Sequence, residues 1–260
     1  MNNINSELNH RLFPTWRQRL VDRDGEELFT EDGLMYNDLS DDELTPFWNK
    51  SKRRVLFLLK EQNQSNNKDE RESQNIRIWF SGDTTRCKEN RELKYPITKY
   101  LAYFLWSLSK IDANNDWWFE EVEKHIEEVK LFVRTQPFAV MEAKKTPGGG
   151  ETDPKALKYH LHIPTQKEPW GYGDLIQQEV KMINPNIIVC AGSENYDFMI
   201  NQSYLSAGLV KIGNEQNLRY SPQTGTLIVY SVHPSAHISI KNKYDYVFEI
   251  ARSFLKSGKI

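Results

Sequence analysis

The feature that most constrains the fold is a set of short apolar runs, each ending abruptly in polar residues. The clearest are residues 55–59, 187–191 and 227–232. Their length and continuous apolar character are typical of strands that are buried on both faces. Segments with helical periodicity stand between them, notably 96–110 and 173–184. Strands that alternate with helices predict an α/β fold with a mainly parallel sheet.

Two of these runs lead into residues that can take part in catalysis. The run 55–59 is followed by Glu61, and the run 227–232 by His233 and Pro234. Ligands of open α/β sheets bind beyond the carboxyl ends of the strands, so we expect this carboxylate and imidazole to share a cleft. Each has a simpler alternative: Glu61 as an exposed loop residue, and His233 as a side chain that caps a strand end.

A glycine-containing loop and the basic residues before it are candidates for contact with a polyanion. The loop covers residues 146–150, and it is not a P-loop because no Gly-Lys-Ser/Thr follows. Lys144 and Lys145 precede it and could follow a phosphodiester backbone. A flexible turn and a solvated basic face are the alternatives.

Aromatic and histidine residues suggest contact with a flat ligand more than a metal site. Trp79 and Phe80 come after a polar segment and could stack on a flat ligand. His160 and His162 would share one side of a strand, but no third ligand has convincing spacing, so no metal is expected. Residues 151–170 contain three prolines and are predicted to be largely irregular.

Composition restricts the class of protein. Lys and Arg total 34 against 36 Asp and Glu, so the chain lacks the strong positive net charge of proteins that coat nucleic acid. This balance does not exclude a local basic patch. No apolar run approaches the roughly 18 residues of a membrane span, and the N-terminus does not resemble a signal peptide. We expect a cytoplasmic protein with one domain over 1–260, in which an N-terminal extension, 1–50, packs on a core of 51–260.

Three segments, in this order, resemble the uracil-DNA glycosylase superfamily, especially its smaller bacterial and archaeal branches. Residues 57–63 are similar to its strand and Gly-Glu-Ala-Pro-Gly loop, 183–192 to its helix, proline, strand and glycine passage, and 229–236 to its His-Pro-Ser motif. Between them, 138–147 resembles the strand that ends in Asn-x-x-Lys-x-x-Pro. The resemblance covers roughly residues 53–256.

The resemblance implies a three-layer α/β/α sandwich with a mainly parallel four-stranded sheet. It also implies a DNA glycosylase, which hydrolyses the N-glycosidic bond of a flipped-out base and leaves an abasic site. On the family pattern, Glu61 positions water and stabilises the sugar cation, and His233 donates a hydrogen bond to the departing base.

The resemblance further implies two sets of contacts. The base is expected to meet Asn63, Trp79, Phe80 and Met141. The DNA is expected to meet Lys144, Lys145, Gly148, Gly149, Gly192, Ser235 and His237. No metal or other cofactor is expected, since the cluster-binding cysteines of some branches are absent. DNA is the expected partner, with no membrane association, and the protein is expected to be a monomer.

Departures from the family pattern bear on the substrate. Lys60 and Asn63 replace a glycine and a proline of the first motif, and Met141 replaces the uracil-reading asparagine. A methionine cannot make paired hydrogen bonds to a pyrimidine edge. We therefore hypothesise a modified base other than uracil, such as the glucosylated hydroxymethylcytosine of phage DNA, and a role in defence. The alternatives are a catalytically inactive nucleic-acid-binding module of the same fold and a nucleoside N-glycoside hydrolase.

Overall fold

A mixed β-sheet runs through the centre of the molecule. The computed structural model describes residues 3–26, 28–62, 75–112, 114–148, 153–213, 215–234 and 236–260. Within them the strands are β1 (Gly33–Leu34), β2 (Val55–Leu59), β3 (Ala139–Glu142), β4 (Ile187–Ala191), β5 (Val210–Lys211), β6 (Leu218–Ser221) and β7 (Thr226–Ser231).

Helices connect the strands. They are α1 (Ile4–Glu7), α2 (Phe13–Asp24), α3 (Asp41–Lys50), α4 (Thr85–Arg91), α5 (Pro96–Lys110), α6 (Phe119–Lys124), α7 (Ile126–Thr135), α8 (Pro154–Leu161), α9 (Gly173–Ile183), α10 (Ser193–Asn201) and α11 (Ile240–Lys256). A π-helical turn, Leu8–Leu12, joins α1 to α2, and a 3₁₀ helix covers Ile76–Phe80. Of the helices in the described ranges, none is both long enough and apolar enough to cross a membrane.

The sheet order is β1-β3-β2-β4-β7-β6-β5. The neighbours β3, β2, β4 and β7 run parallel, whereas β1 is antiparallel to β3, β6 to β7 and β5 to β6. The predicted α/β class is confirmed, but the sheet has seven strands and is mixed, where the resemblance implied four. The sequence of β6, Leu-Arg-Tyr-Ser, lacks the continuous apolar character by which buried strands are recognised.

Helices cover both faces of this sheet. Successive side chains of a strand point to opposite faces, so Phe57 and Leu59 enter one apolar cluster while Leu56 and Leu58 enter another. We call the side of Phe57 and Leu59 the first face. Helices α5 and α11 pack on it, while the N-terminal helices and α9 pack on the second face.

The N-terminal residues take part in the sheet and in one of the apolar clusters. Phe13 and Trp16 of α2 are fully buried on the second face, and Trp16 stacks on Tyr172 at 6.4 Å between ring centroids. Strand β1 pairs with β3. These contacts agree with an extension that packs on the rest of the chain.

The segment 151–170 differs from the expectation of an irregular chain, because α8 lies within it. Asp153 is the N-cap of this helix, and its side chain accepts a hydrogen bond from the Lys155 backbone N–H. Pro154 occupies the first helical position, where a missing N–H costs nothing. His160 therefore lies on a helix and His162 just after it, not on a strand.

Candidate active site

Glu61 lies at the carboxyl end of β2, where the chain after β3 runs beside it. The backbone N–H of Lys144 donates to the Lys60 carbonyl at 2.8 Å, and that of Gly148 to the Gln62 carbonyl at 2.9 Å. This pairing brings the Lys144 ammonium to the Glu61 carboxylate, to which it donates a hydrogen bond. The Glu61 side chain is only 4% exposed, so the carboxylate is held in a sheltered position.

Gly148 makes room for that carboxylate. A Cβ built on Gly148 would lie 2.4 Å from the carboxyl carbon and from both oxygens of Glu61. The loop identified as a close-approach segment thus approaches a catalytic candidate of the same chain. Gly149, which was also expected to contact DNA, lies outside the described residues.

His233 follows β7 and has charged neighbours. Lys60 Nζ lies 3.4 Å from Glu194 Oε2. Burial of the imidazole, together with the positive charges of Lys60 and Lys243, lowers the pKa of His233 to about 4, although Glu194 acts in the opposite direction. The ring is therefore neutral at neutral pH and retains one N–H and one acceptor nitrogen.

The loop after β7 is held by α11. Lys243 is buried and donates to the Pro234 carbonyl at 2.5 Å. Ser235 lies outside the described residues. Beyond it, His237 is exposed and Ile238 is 46% exposed, so the tip of this loop faces solvent. An exposed tip of this kind is available to a large partner.

Gly192 connects the two halves of the candidate site. It follows β4 with φ of 103°, and its N–H donates to the Ser231 carbonyl at 2.8 Å. A Cβ there would lie 2.7 Å from Lys60 Cε. Glycine is required at this point because the backbone is left-handed and a side chain would displace Lys60.

Glu61 and His233 thus lie at the same edge of the sheet. Their strands, β2 and β7, are separated by β4 alone and run parallel to it. Two strand spacings amount to about 10 Å, which is the separation expected between the two chain positions at this edge. A nucleotide can span such a separation, with its sugar near one group and its base near the other.

Met141 and Phe80 were expected to contact the base, and their positions do not agree with that expectation. Met141 is fully buried on the second face, which is the other side of the sheet from Leu59. Phe80 is also fully buried, and its ring meets that of Phe138 edge to face at 5.8 Å between centroids. Because Phe138 precedes β3, Phe80 lies near the amino end of that strand. Trp79, its partly buried neighbour, packs on the same cluster, and Asn63 lies outside the described residues.

Lys145 was expected to contact DNA, and its burial does not agree with that expectation. The side chain is fully buried and its ammonium donates to Asp32 and lies 2.8 Å from Glu179 Oε2. The same ammonium stands 4.9 Å from the centre of the Trp16 ring. The Lys145 ammonium thus lies among second-face residues, whereas that of Lys144 reaches Glu61.

Sequence reasoning did not identify Glu142, Glu194 or Asn195 as site residues. Asn195 donates to the carbonyls of Leu58 and Leu59 at 3.1 and 2.9 Å and so ties α10 to the end of β2. Glu142 ends β3, is 1% exposed, and burial raises its pKa to about 8, with Asp32 and Glu61 adding to the effect and Lys145 opposing it. The alternation of Val140 and Glu142 along β3 was the available signal.

Two cavities in the described part of the chain lie elsewhere. One, of about 600 Å³, is bounded by residues that include Tyr196, Asn217, Arg219 and Tyr230. The other lies beside Tyr159 and Trp170. Neither includes Glu61 or His233. Over the same described ranges, His, Cys, Asp and Glu side chains form no group of three or more that could hold a metal ion.

Comparison with known sequences adds no further evidence about function. No protein-family model matches the chain, and no curated protein matches it. Evidence about function therefore comes from the residues at the carboxyl edge of the sheet.

Proposed function

We propose that the protein is a DNA glycosylase that hydrolyses the N-glycosidic bond of a flipped-out base and leaves an abasic site. The observation that carries the proposal is the position of Glu61 and His233 beyond parallel strands at one edge of the sheet. The four adjacent parallel strands, with helices on both faces, also support the resemblance from which the proposal began.

Each group has a defined role in this reaction. When the glycosidic bond breaks, positive charge develops on the sugar and negative charge on the base. The Glu61 carboxylate stabilises the sugar and accepts a proton from the attacking water. The neutral His233 ring donates its N–H to the departing base, which carries the negative charge. No metal is needed for either role.

Contact with DNA is assigned to the residues that the structure leaves accessible. His237 and Ile238 form the exposed tip beyond His233, and an apolar side chain there can enter the stack from which the base is removed. Gly148 is half-buried and allows the backbone to come close to the bound strand, whereas Gly192 is buried and is left out. Lys144 remains in the proposal as the residue that orients Glu61, and Lys145 is left out because it is buried.

One observation favours a catalytically inactive binding module. The Glu61 carboxylate already pairs with the Lys144 ammonium, which reduces the negative charge that it can offer to a sugar cation. A protein that only holds DNA in this cleft would bind the duplex without breaking it. The formation of abasic sites separates these two functions.

The test uses genomic DNAs that differ in base modification, including DNA with glucosylated hydroxymethylcytosine. Released bases are identified by mass spectrometry and abasic sites by cleavage in alkali. The proposal expects a modified base to be released by the unaltered protein and not by the Glu61→Gln variant. DNA that is bound but yields neither free base nor alkali-labile sites would establish the binding module instead.

A further inference from the structure

A cavity of about 600 Å³ lies between α10 and the outer strands of the sheet. Tyr196 of α10 and Tyr230 of β7, which belong to the second-face cluster, border it together with Lys211 of β5 and Arg219 of β6. Its volume falls within the roughly 300–1,000 Å³ of small-molecule sites. Because neither group of the candidate active site borders this cavity, a molecule bound here is additional to the base held there.

Two cations stand opposite each other on the wall of this cavity. Lys211 and Arg219 are direct partners in the antiparallel register of β5 and β6, and both border the cavity. Side chains in such a pair have Cβ atoms about 5 Å apart, and like charges placed this way repel. Within the described ranges neither residue forms an ion pair with a carboxylate. An anion bound between the two side chains would relieve this repulsion.

The guanidinium group of Arg219 is held in place by the chain beside it. Its Nη1 donates to the carbonyls of Gln216 and Leu218, each at 2.9 Å, and to that of Glu215 at 3.2 Å. As far as the chain is described, these bonds leave Nε and Nη2 for a ligand. Burial raises the pKa of the Tyr196 phenol, and the charge of Arg219 opposes that rise. An oriented guanidinium group of this kind suits a phosphate group.

Another part of the cavity lining is aromatic. The rings of Tyr196 and Tyr246 meet that of Tyr230 at 5.8 and 6.4 Å between centroids, with interplanar angles of 72° and 87°. Neither neighbour lies parallel to the Tyr230 ring, so a planar ligand can lie against it. Asn217 and Asp197 also border the cavity and can accept hydrogen bonds from amino groups. Of the described residues at this cavity only Asp197 is acidic, so two cations face one carboxylate.

We infer that this cavity binds a nucleotide, with the phosphate between Lys211 and Arg219 and the base against Tyr230. A phosphate ion alone would fill little of the cavity and would make no use of its aromatic lining. An uncharged ring would leave the two cations without a counter-ion. A nucleotide carries both the anion and the planar ring. The inference goes beyond the proposed function and does not require that a base be released.

The cavity adjoins the candidate active site through the first turn of α10. Ser193 borders the cavity, and its hydroxyl donates to Glu194 at 3.2 Å. Glu194 lies 3.4 Å from Lys60, and its charge acts on His233. Tyr230 precedes His233 by three residues, which span at most about 10 Å of chain. The nucleotide can therefore come from the DNA strand that carries the flipped base, and a free mononucleotide is the other source.

The experiment measures the binding of 2′-deoxyadenosine 5′-monophosphate (dAMP), inorganic phosphate and deoxyadenosine to the full chain by isothermal titration calorimetry. We expect dAMP to bind at least about tenfold more tightly than either fragment, since only dAMP meets both the cations and the ring. Lys211→Met and Tyr230→Leu should each weaken the binding of dAMP about tenfold. Lys88→Met, at an exposed position of α4, removes the same charge elsewhere and should not change it.

Two further measurements locate the nucleotide and identify its source. Glu61→Gln should bind dAMP as the unaltered protein does, because Glu61 does not border the cavity. A single-stranded oligonucleotide that displaces dAMP would identify the DNA strand as the source, and one that leaves dAMP bound would identify the free mononucleotide.

Three results would overturn the inference. They are equal affinity of Lys211→Met and Lys88→Met for dAMP, loss of dAMP binding in Glu61→Gln, and binding of dAMP no tighter than that of phosphate. Any of these together with normal base release would leave the glycosylase intact. Tight binding of dAMP without release of any base would leave this inference standing and overturn the proposed function alone.

Discussion

Gly148 and Glu61 approach so closely that no side chain fits between them. A Cβ on Gly148 would come within 2.4 Å of three carboxyl atoms of Glu61, while the backbone N–H of the same glycine donates to the Gln62 carbonyl. The loop after β3 therefore determines where the carboxylate at the end of β2 can lie. A substitution at this loop glycine should therefore change the rate of the proposed reaction by displacing the Glu61 carboxylate.

Gly148→Ala should reduce base release at least about tenfold, since a displaced catalytic group loses much of its effect. Stability should change little, because the atoms that must move belong to the far end of one side chain. The rate is measured with an oligonucleotide substrate and the stability by urea unfolding.

Gly25→Ala is the control, with the opposite expected result: lower stability and an unchanged rate. A Cβ there would meet no atom within 4 Å, but the φ of 66° strains any other residue. This variant should lose about 1 kcal/mol of stability and keep its rate. If Gly148→Ala retained the full rate, the proposed position of the Glu61 carboxylate during the reaction would be incorrect.

Glu61→Gln and His233→Ala should each reduce the rate of base release at least about a hundredfold while the fold stays intact. Glu127→Gln is the matched control, because its side chain is 80% exposed on α7. Circular dichroism monitors the fold and single-turnover release monitors the rate. Normal turnover in both site variants would show that the reaction, if any, takes place elsewhere.

The pKa of His233 should respond in opposite directions to changes at its two neighbours. Lys60→Met removes a positive charge and should raise the pKa from about 4, whereas Glu194→Gln removes a negative charge and should lower it. The titration is followed by NMR of the imidazole, with His233→Ala used to assign its signal. A pKa near the usual 6.5 in the unaltered protein would contradict the burial of this ring.

Glu142 should make the protein less stable as pH rises from about 4.5 to about 8. Its folded-state pKa is raised above the unfolded value, so in this range the folded state binds a proton that the unfolded state has released. The contribution of Glu142 to the free energy of unfolding is fully present below about pH 4.5. It is lost as pH rises towards 8, and it no longer changes above pH 8. Between pH 5.5 and 8 the loss amounts to roughly 3 kcal/mol.

Glu142→Gln should remove this dependence, which is measured as the difference between variant and unaltered protein in urea unfolding at pH 5.5 and 8. The difference isolates Glu142 from other groups that titrate, such as His233 and Glu179. An unchanged pH dependence in the variant would mean that this carboxyl group is solvated in the folded protein.

Lys145→Met should destabilise the protein by about 3–5 kcal/mol, since it leaves the buried carboxylates of Asp32 and Glu179 without their cation. Lys158→Met, on an exposed position of α8, should have little effect. Thermal unfolding gives the comparison. Unchanged stability together with weakened DNA binding would restore the expectation that Lys145 meets DNA.

The sequence was sufficient to predict the parallel arrangement that brings Glu61 and His233 to one edge. Continuous apolar runs and the helices between them are local patterns, and parallel strands necessarily present their carboxyl ends on the same side. Asp153 followed by Pro154 is also a typical helix start, but the three prolines of the segment favoured the prediction of an irregular chain. The short strands β5 and β6 had no such local signal.

The sequence alone determined that neighbouring residues of β3 point to opposite faces, because a strand has a period of two. Only the tertiary structure decided which face holds the site and which is covered by the N-terminal helices. That choice buried Met141 and Lys145 and turned Glu142 towards Glu61. It depends on which helices pack on which side of the sheet, and those contacts join residues that are far apart in the chain.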